Sequence, residues 1–116
     1  MTNLTEFQEK TLKILKQVNK KNPITASRIS FSINLKEVKG KEGANMRSII
    51  HSLRVKGYPI CANGRGYYYA ETSTELSEYI VSLNARIMKT EEASRGLSKG
   101  FDKVKKAIEE QTTKLF

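Results

Sequence analysis

The chain has 116 residues and a mass of 13.2 kDa, the size of one domain or of one domain with an appendage. It carries 21 Lys and Arg against 12 Asp and Glu, a formal net charge of +9, with 38% hydrophobic residues, no Trp and a mean hydropathy of −0.52. These values exclude a fully disordered chain, and no apolar run approaches the roughly 18 residues that a membrane-spanning helix needs.

The first twenty residues are amphipathic and include acids, unlike a signal or transit peptide. A lone Cys61 cannot form an internal disulfide, and one histidine does not assemble a zinc set. The expectation is a reduced cytoplasmic protein, of a bacterium or of a phage-infected cell, with no metal, no cofactor and no membrane partner. The charge is unevenly placed. Residues 1–70 hold 13 Lys and Arg against four Asp and Glu, whereas residues 71–116 hold eight of each. A basic segment beside a neutral one fits a polyanion-binding module with a partner-binding or oligomerising tail, or else a basic surface that serves solubility.

In chain order, Thr5 and Gln8 have the spacing of a reciprocal helix cap, and Phe7, Thr11, Leu12, Ile14, Leu15 and Val18 recur at helical steps. This predicts an amphipathic helix of about fifteen residues, stopped by Asn22-Pro23. Ile24-Thr25 is a strand stub. Thr25 or Ser27 caps a short second helix ending near Ile33, with Ile29 and Ile33 facing inward. The turn from Leu35 to Gly43 is rich in Lys and Gly. A third helix is expected from Glu42 or Ala44 to Lys56, burying Met46, Ile49, Ile50 and Leu53 and closed by Gly57. Tyr58–Ala62 and Tyr67–Ala70 then read as two strands joined by Asn63-Gly64-Arg65-Gly66, a four-residue hairpin connection.

From Ser73, read as part of an N-terminal cap with Thr74 and Glu75, the pattern changes. Leu76, Ile80, Leu83, Ile87, Thr90, Ser94, Leu97, Phe101, Val104, Ile108, Gln111 and Leu115 alternate steps of four and three, the a/d register of a coiled coil. Either one helix of about 40 residues or two helices broken between Thr90 and Gly100 satisfies this pattern. The apolar members, Leu76, Ile80, Leu83, Ile87, Leu97, Phe101, Val104 and Ile108, are the candidate oligomerisation residues. Alternatively the first four pack on the helices of their own protomer.

The third helix holds the residue types that reading of the major groove requires. Ala44, Ser48, His51 and Val55 lie opposite its apolar stripe, flanked by Asn45, Arg47 and Ser52. Asn and Arg make paired hydrogen bonds to adenine and guanine edges, and small residues allow close approach. Lys36, Lys39 and Lys41 upstream, and Arg54 and Lys56 downstream, are candidates for phosphates. Arg65, between two glycines at the hairpin tip, suits an adjacent minor groove. The Tyr67-Tyr68-Tyr69 run would serve base stacking or, because at least one strand face must pack inward, the core. His51 reads as a groove contact or a surface residue and Cys61 as a small hydrophobe. No nucleophile set, phosphate-cradling loop or metal cluster points to catalysis.

The order of elements is that of a winged helix-turn-helix with the hairpin as wing. The run Met46-Arg47-Ser48-Ile49-Ile50-His51-Ser52-Leu53-Arg54-Val55-Lys56-Gly57-Tyr58-Pro59-Ile60, followed by Gly64-Arg65-Gly66-Tyr67-Tyr68-Tyr69, resembles the recognition helix and wing of the biotin-repressor type of winged helix. Similar sequences occur in small proteins of Gram-positive phages and mobile elements. The resemblance covers residues 46–69 and, loosely, 24–45. It implies double-stranded DNA binding through Asn45, Arg47, Ser48, His51 and Arg65. The turn from Asn34 to Gly43 is longer and richer in lysine than that family's.

The expected fold is mainly α with a small β-hairpin: a winged helix-turn-helix over residues 1–72, then a long helix or helical pair over 73–116 that oligomerises. The leading functional expectation is a non-enzymatic DNA-binding regulator or replication-associated factor, working as a homodimer or higher homo-oligomer. The alternatives are a winged-helix interaction module whose tail docks a host replication or transcription protein, and a sequence-neutral coat driven by charge.

Overall fold

In the computed structural model, which describes residues 3–115 and the side chains of all of these except 102 and 111–115, Thr5 opens the first helix. Its Oγ1 accepts the Gln8 N–H at 3.2 Å and its own N–H donates to Gln8 Oε1 at 2.9 Å, a reciprocal cap. Helix α1 runs Glu6–Leu15 and is shorter than the periodicity predicts. Gln17 and Val18 turn back three residues to the carbonyls of Ile14 and Leu15, and Asn19 Oδ1 then accepts the N–H groups of Lys21 and Asn22. That tightening ends the helix before Val18.

Thr25 caps helix α2, Ala26–Ser32, by accepting the Arg28 N–H at 3.3 Å. It ends with Asn34 at φ +57°, where Leu35 N–H reaches Ser30 O and Asn34 N–H reaches Phe31 O. Helix α3, Ala44–Val55, ends in the same way: Gly57 at φ +98° donates to Arg54 O, and Tyr58 donates to Leu53 O. Both are Schellman closures, which need a residue that tolerates the left-handed region.

Strands β1, Ile60–Asn63, and β2, Gly66–Tyr69, pair antiparallel from Ile60↔Tyr69 to Asn63↔Gly66. Asn63 and Gly66 therefore belong to the ladder, and the connection is two residues, Gly64-Arg65, rather than the expected four. The strand stub is real and contributes one residue. Ile24 exchanges both backbone hydrogen bonds with Tyr67, at 2.8 and 2.7 Å. This brings the Ile24 carbonyl so near β2 that a Cβ on Gly66 would sit 2.5 Å from its oxygen; with φ at +143°, only glycine fits there.

Leu12, Leu15, Ile29, Ile33, Met46, Ile50, Leu53 and Ile60 form one buried cluster, drawn from all three helices and the hairpin. Helix α4 then runs unbroken from Ser73 to Leu115, through Gly96 and Gly100, so the two-helix alternative does not apply. Its cap is one residue earlier than expected, with Thr72 Oγ1 accepting the Glu75 N–H at 3.1 Å. The side chains of Gln111 and Leu115 lie outside the described residues. The chain divides into two compact units, Met1–Tyr79 and Ile80–Phe116. The molecule is thus mainly helical with a small antiparallel hairpin and a long C-terminal helix. Among the described residues no helix is long and apolar enough to cross a membrane.

Candidate nucleic-acid interface

Helix α3 combines one buried stripe with one exposed side of mixed polar chemistry among its described residues. Met46, Ile50 and Leu53 are buried, whereas Asn45, Arg47, Ser48, His51 and Val55 are exposed, Val55 at 73%. Ala44 is half-buried. The side that faces away from the core therefore offers a guanidinium, an amide, an imidazole, a hydroxyl and an apolar branch within three turns.

The start of this helix is held from a distance. Gly43, at φ +85°, occupies the cap position and has no side chain to offer. Glu37 replaces it: one carboxylate oxygen accepts the Asn45 N–H and the other the Met46 N–H, both at 3.1 Å, and the latter also takes the Ser30 hydroxyl at 3.3 Å. Ala44 N–H donates to Lys41 O and Arg47 N–H to Gly43 O. The amides of Ala44, Asn45, Met46 and Arg47 are thus all occupied within the fold. The charged groups beside this helix end belong to side chains.

Those side chains are present. Asn45 Nδ2 donates to Lys36 O at 2.9 Å, which fastens the 34–43 loop to α3, and Lys36, Lys39 and Lys41 are all exposed on it. Glu42 is exposed as well; hydrogen bonds from the Gly40 and Glu42 backbone hold its carboxyl below the usual range. Among the described residues of the first unit, the one ion pair is Lys10–Glu6 at 3.0 Å. The loop lysines and Arg47 therefore make no close ion pair among the described residues, although Glu37 and Glu42 share the loop.

Three residues expected at or beside the groove have other tasks. Arg54 is turned inward: its Nε donates to Ile60 O at 2.9 Å, its Nη2 to Tyr79 Oη at 3.0 Å, and its guanidinium lies 5.8 and 5.2 Å from the Tyr67 and Tyr79 rings. It fastens the hairpin and the first turns of α4 to α3. Ser52 accepts from Gln8 Nε2 at 2.8 Å, and Lys56 Nζ donates to Gln8 Oε1 and Asn3 O, each at 3.1 Å. Gln8 thus links α1 to the wet edge of α3.

Arg65 stands exposed in the two-residue turn, its N–H on Asn63 Oδ1 at 2.8 Å and its Nη1 toward Lys21 O at 3.3 Å. In the tyrosine run, Tyr68 is 4% exposed and packs beside the buried Cys61, while Tyr67 and Tyr69 lean on the core cluster. Burial pushes the Cys61 thiol and the Tyr68 and Tyr69 phenols above their ordinary pKa values. Tyr68 thus belongs to the core, while Tyr67 and Tyr69 are half-buried.

Two features escape a reading of the sequence alone. Glu37 is one; Phe31, 86% exposed on α2, is the other. Phe31, Arg47 and Glu37 line a cleft of about 570 Å³ between α2 and the start of α3. Phe31 falls two residues from Ile29 and Ile33, off the inner stripe, and that spacing was the available signal.

Along the second unit, Ile80, Ile87, Leu97, Phe101, Val104 and Ile108 are exposed, Leu97 at 76% and Phe101 at 69%, while Leu83 is half-buried. Leu76, in the first unit, is half-buried too. Comparison of the chain with protein-family models, with curated proteins and with solved structures finds no match.

Proposed function

We propose that the chain is a non-enzymatic double-stranded DNA-binding protein, a winged helix-turn-helix in which α2 and α3 are the helical pair and β1–β2 the wing, assembled as a homo-oligomer through α4. The observation that supports it most is the exposed side of α3. Asn45, Arg47, Ser48 and His51 sit opposite a buried stripe, beside lysines that make no close ion pair among the described residues, in the segment of the chain that holds all the excess positive charge. An α-helix fills the major groove; Arg47 supplies base-edge hydrogen bonds, Asn45 adds its Oδ1 as an acceptor while its Nδ2 holds the loop, Ser48 lets the backbone approach, and Val55 suits a thymine methyl. Lys36, Lys39 and Lys41 meet phosphates next to the helix start, and Arg65 reaches an adjacent groove or its backbone. Two protomers held by their tails bind a two-part site, as a phage- or mobile-element-type regulator or replication factor does.

Fluorescence anisotropy on random duplex and on duplex from the protein's own locus, at about 50 and 200 mM salt, tests this reading. Binding to one segment that survives the higher salt is expected, as is a loss of about tenfold on Arg47→Ala for that segment alone. Lys39→Ala should weaken all duplexes alike. Equal, salt-erased binding to every duplex overturns specific recognition. Retained partner capture by an Arg47→Ala/Arg65→Ala variant that never held DNA would favour the interaction module instead.

A further inference from the structure

We propose that the seam of α4 is covered by a second copy of this chain, parallel and in register, as a two-stranded coiled coil. This rests on the self-association proposed above and specifies its geometry.

The register follows from the steps. Leu76 to Ile80 is a step of four and Ile80 to Leu83 a step of three, which makes Leu76 a d position and Ile80 an a position. Carried along the unbroken helix, this places isoleucine at a three times, at 80, 87 and 108, and leucine at d three times, at 76, 83 and 97. Branched residues at a with leucine at d is the combination that favours two parallel strands over three or four. Phe101 at a and Val104 at d depart from it, and Gly100, at g beside the ring, has open space around its Cα.

The polar seam positions discriminate orientation. Thr90, at d, donates its hydroxyl to Arg86 O at 2.8 Å in its own helix, so covering it strands no hydroxyl and its methyl faces the partner. In a parallel pair Thr90 meets Thr90 and Ser94 meets Ser94, small polar layers that fit each other. An antiparallel pair overlapping the whole seam sets them against Phe101 and Leu97.

Charge agrees. Arg86 falls at g and Glu91 at e, the i to i+5 relation in which g of one strand faces e of the next in a parallel pair. Two-fold symmetry makes that contact twice. In an antiparallel pair g faces g and e faces e, and Arg86 then meets Gly100 or Ala107. Within its own helix Arg86 has no acid three or four residues away.

The experiment uses the full chain with Cys61→Ala, so that an added cysteine is the sole thiol. Light scattering should give twice 13.2 kDa. Thr90→Cys should then form a covalent dimer on mild oxidation, because in-register d positions face each other; antiparallel pairing separates the two copies of position 90 by about 16 Å along the axis. As a second, independent readout, Arg86→Glu should weaken the dimer about fivefold and the exchange Arg86→Glu/Glu91→Arg should restore it. A dimer that neither cross-links nor shows this rescue overturns the parallel arrangement alone. A mass above the dimer overturns the two-stranded state. A monomer at every concentration overturns self-association itself, while DNA binding by the first unit is judged by its own titration.

Discussion

Replacing Glu37 with alanine removes one side chain and leaves three donors stranded: the Asn45 and Met46 amides and the Ser30 hydroxyl. Gly43 cannot replace it as a cap. Loss of an N-terminal cap costs about 1 kcal/mol. Ser30 is buried at 4% exposure, so water reaches its hydroxyl poorly, and an unmet buried hydroxyl adds about 1 kcal/mol more. The expected total is about 2 kcal/mol, or a fall of about 10 °C in Tm for a unit of this size. Glu37→Gln keeps an acceptor oxygen and should lose about half as much. The chain provides its own probe, because it has no Trp and all five tyrosines lie between Tyr58 and Tyr79, inside the first unit. Urea unfolding followed by tyrosine fluorescence therefore reports that unit without interference from the rest of α4. A Glu37→Ala variant within about 0.5 kcal/mol of a Lys36→Ala control would refute the cap argument, since surface changes typically stay inside that range.

Three further outcomes are expected from the same assay. Thr11 is fully buried and its Oγ1 has no hydrogen-bond partner among the described residues, so Thr11→Val should raise stability by up to about 1 kcal/mol; a loss would mean the hydroxyl is satisfied. Gly66→Ala drives a methyl into the Ile24 carbonyl at a backbone angle alanine resists, and should cost about 3 kcal/mol or more; a change below 1 kcal/mol would show that Ile24 detaches freely. Cys61, Tyr68 and Tyr69 all hold their protons longer folded than at their ordinary values of 9.0 and 10.0, because burial disfavours the anions. Between the ordinary and the raised value the folded state binds more protons than the unfolded one, so stability is full below about pH 8.5 and falls as pH climbs through 9 and 10. Tyr68→Phe should flatten that decline, and a stability independent of pH up to 10.5 would contradict the burial argument.

What the sequence disclosed and what it withheld divide by the reach of the interaction. Thr5 with Gln8, Thr25 before α2, Gly57 after α3 and the apolar stripe of α3 act within a few residues, and each was legible as a pattern. The continuous seam from Ile80 to Ile108 was legible for the same reason, although the glycines left a broken helix equally open. Glu37 acts across nine residues of chain, and Arg54 on groups that the hairpin and α4 bring to it. Nothing in the local spelling distinguishes an arginine bound for Ile60 O and Tyr79 Oη from one bound for solvent. A clue to Glu37 did exist: one of only two acids in a lysine-rich loop, ahead of a helix that starts at a bare glycine. The shortened α1 was similarly hidden in Asn19, whose side chain commits the chain to a turn before Pro23 can stop the helix.

The attachment of the 34–43 loop separates two properties that usually constrain one another. Its anchors are the Glu37 carboxylate, the Asn45 amide on Lys36 O and the closure at Asn34, and none of these uses a lysine side chain. Lysines 36, 39 and 41 hang from a scaffold that does not depend on them. Their number and spacing can therefore be changed while the anchors that hold the loop stay in place. A ten-residue segment of this kind can have its charge rewritten, lysine by lysine, without a compensating change in the core.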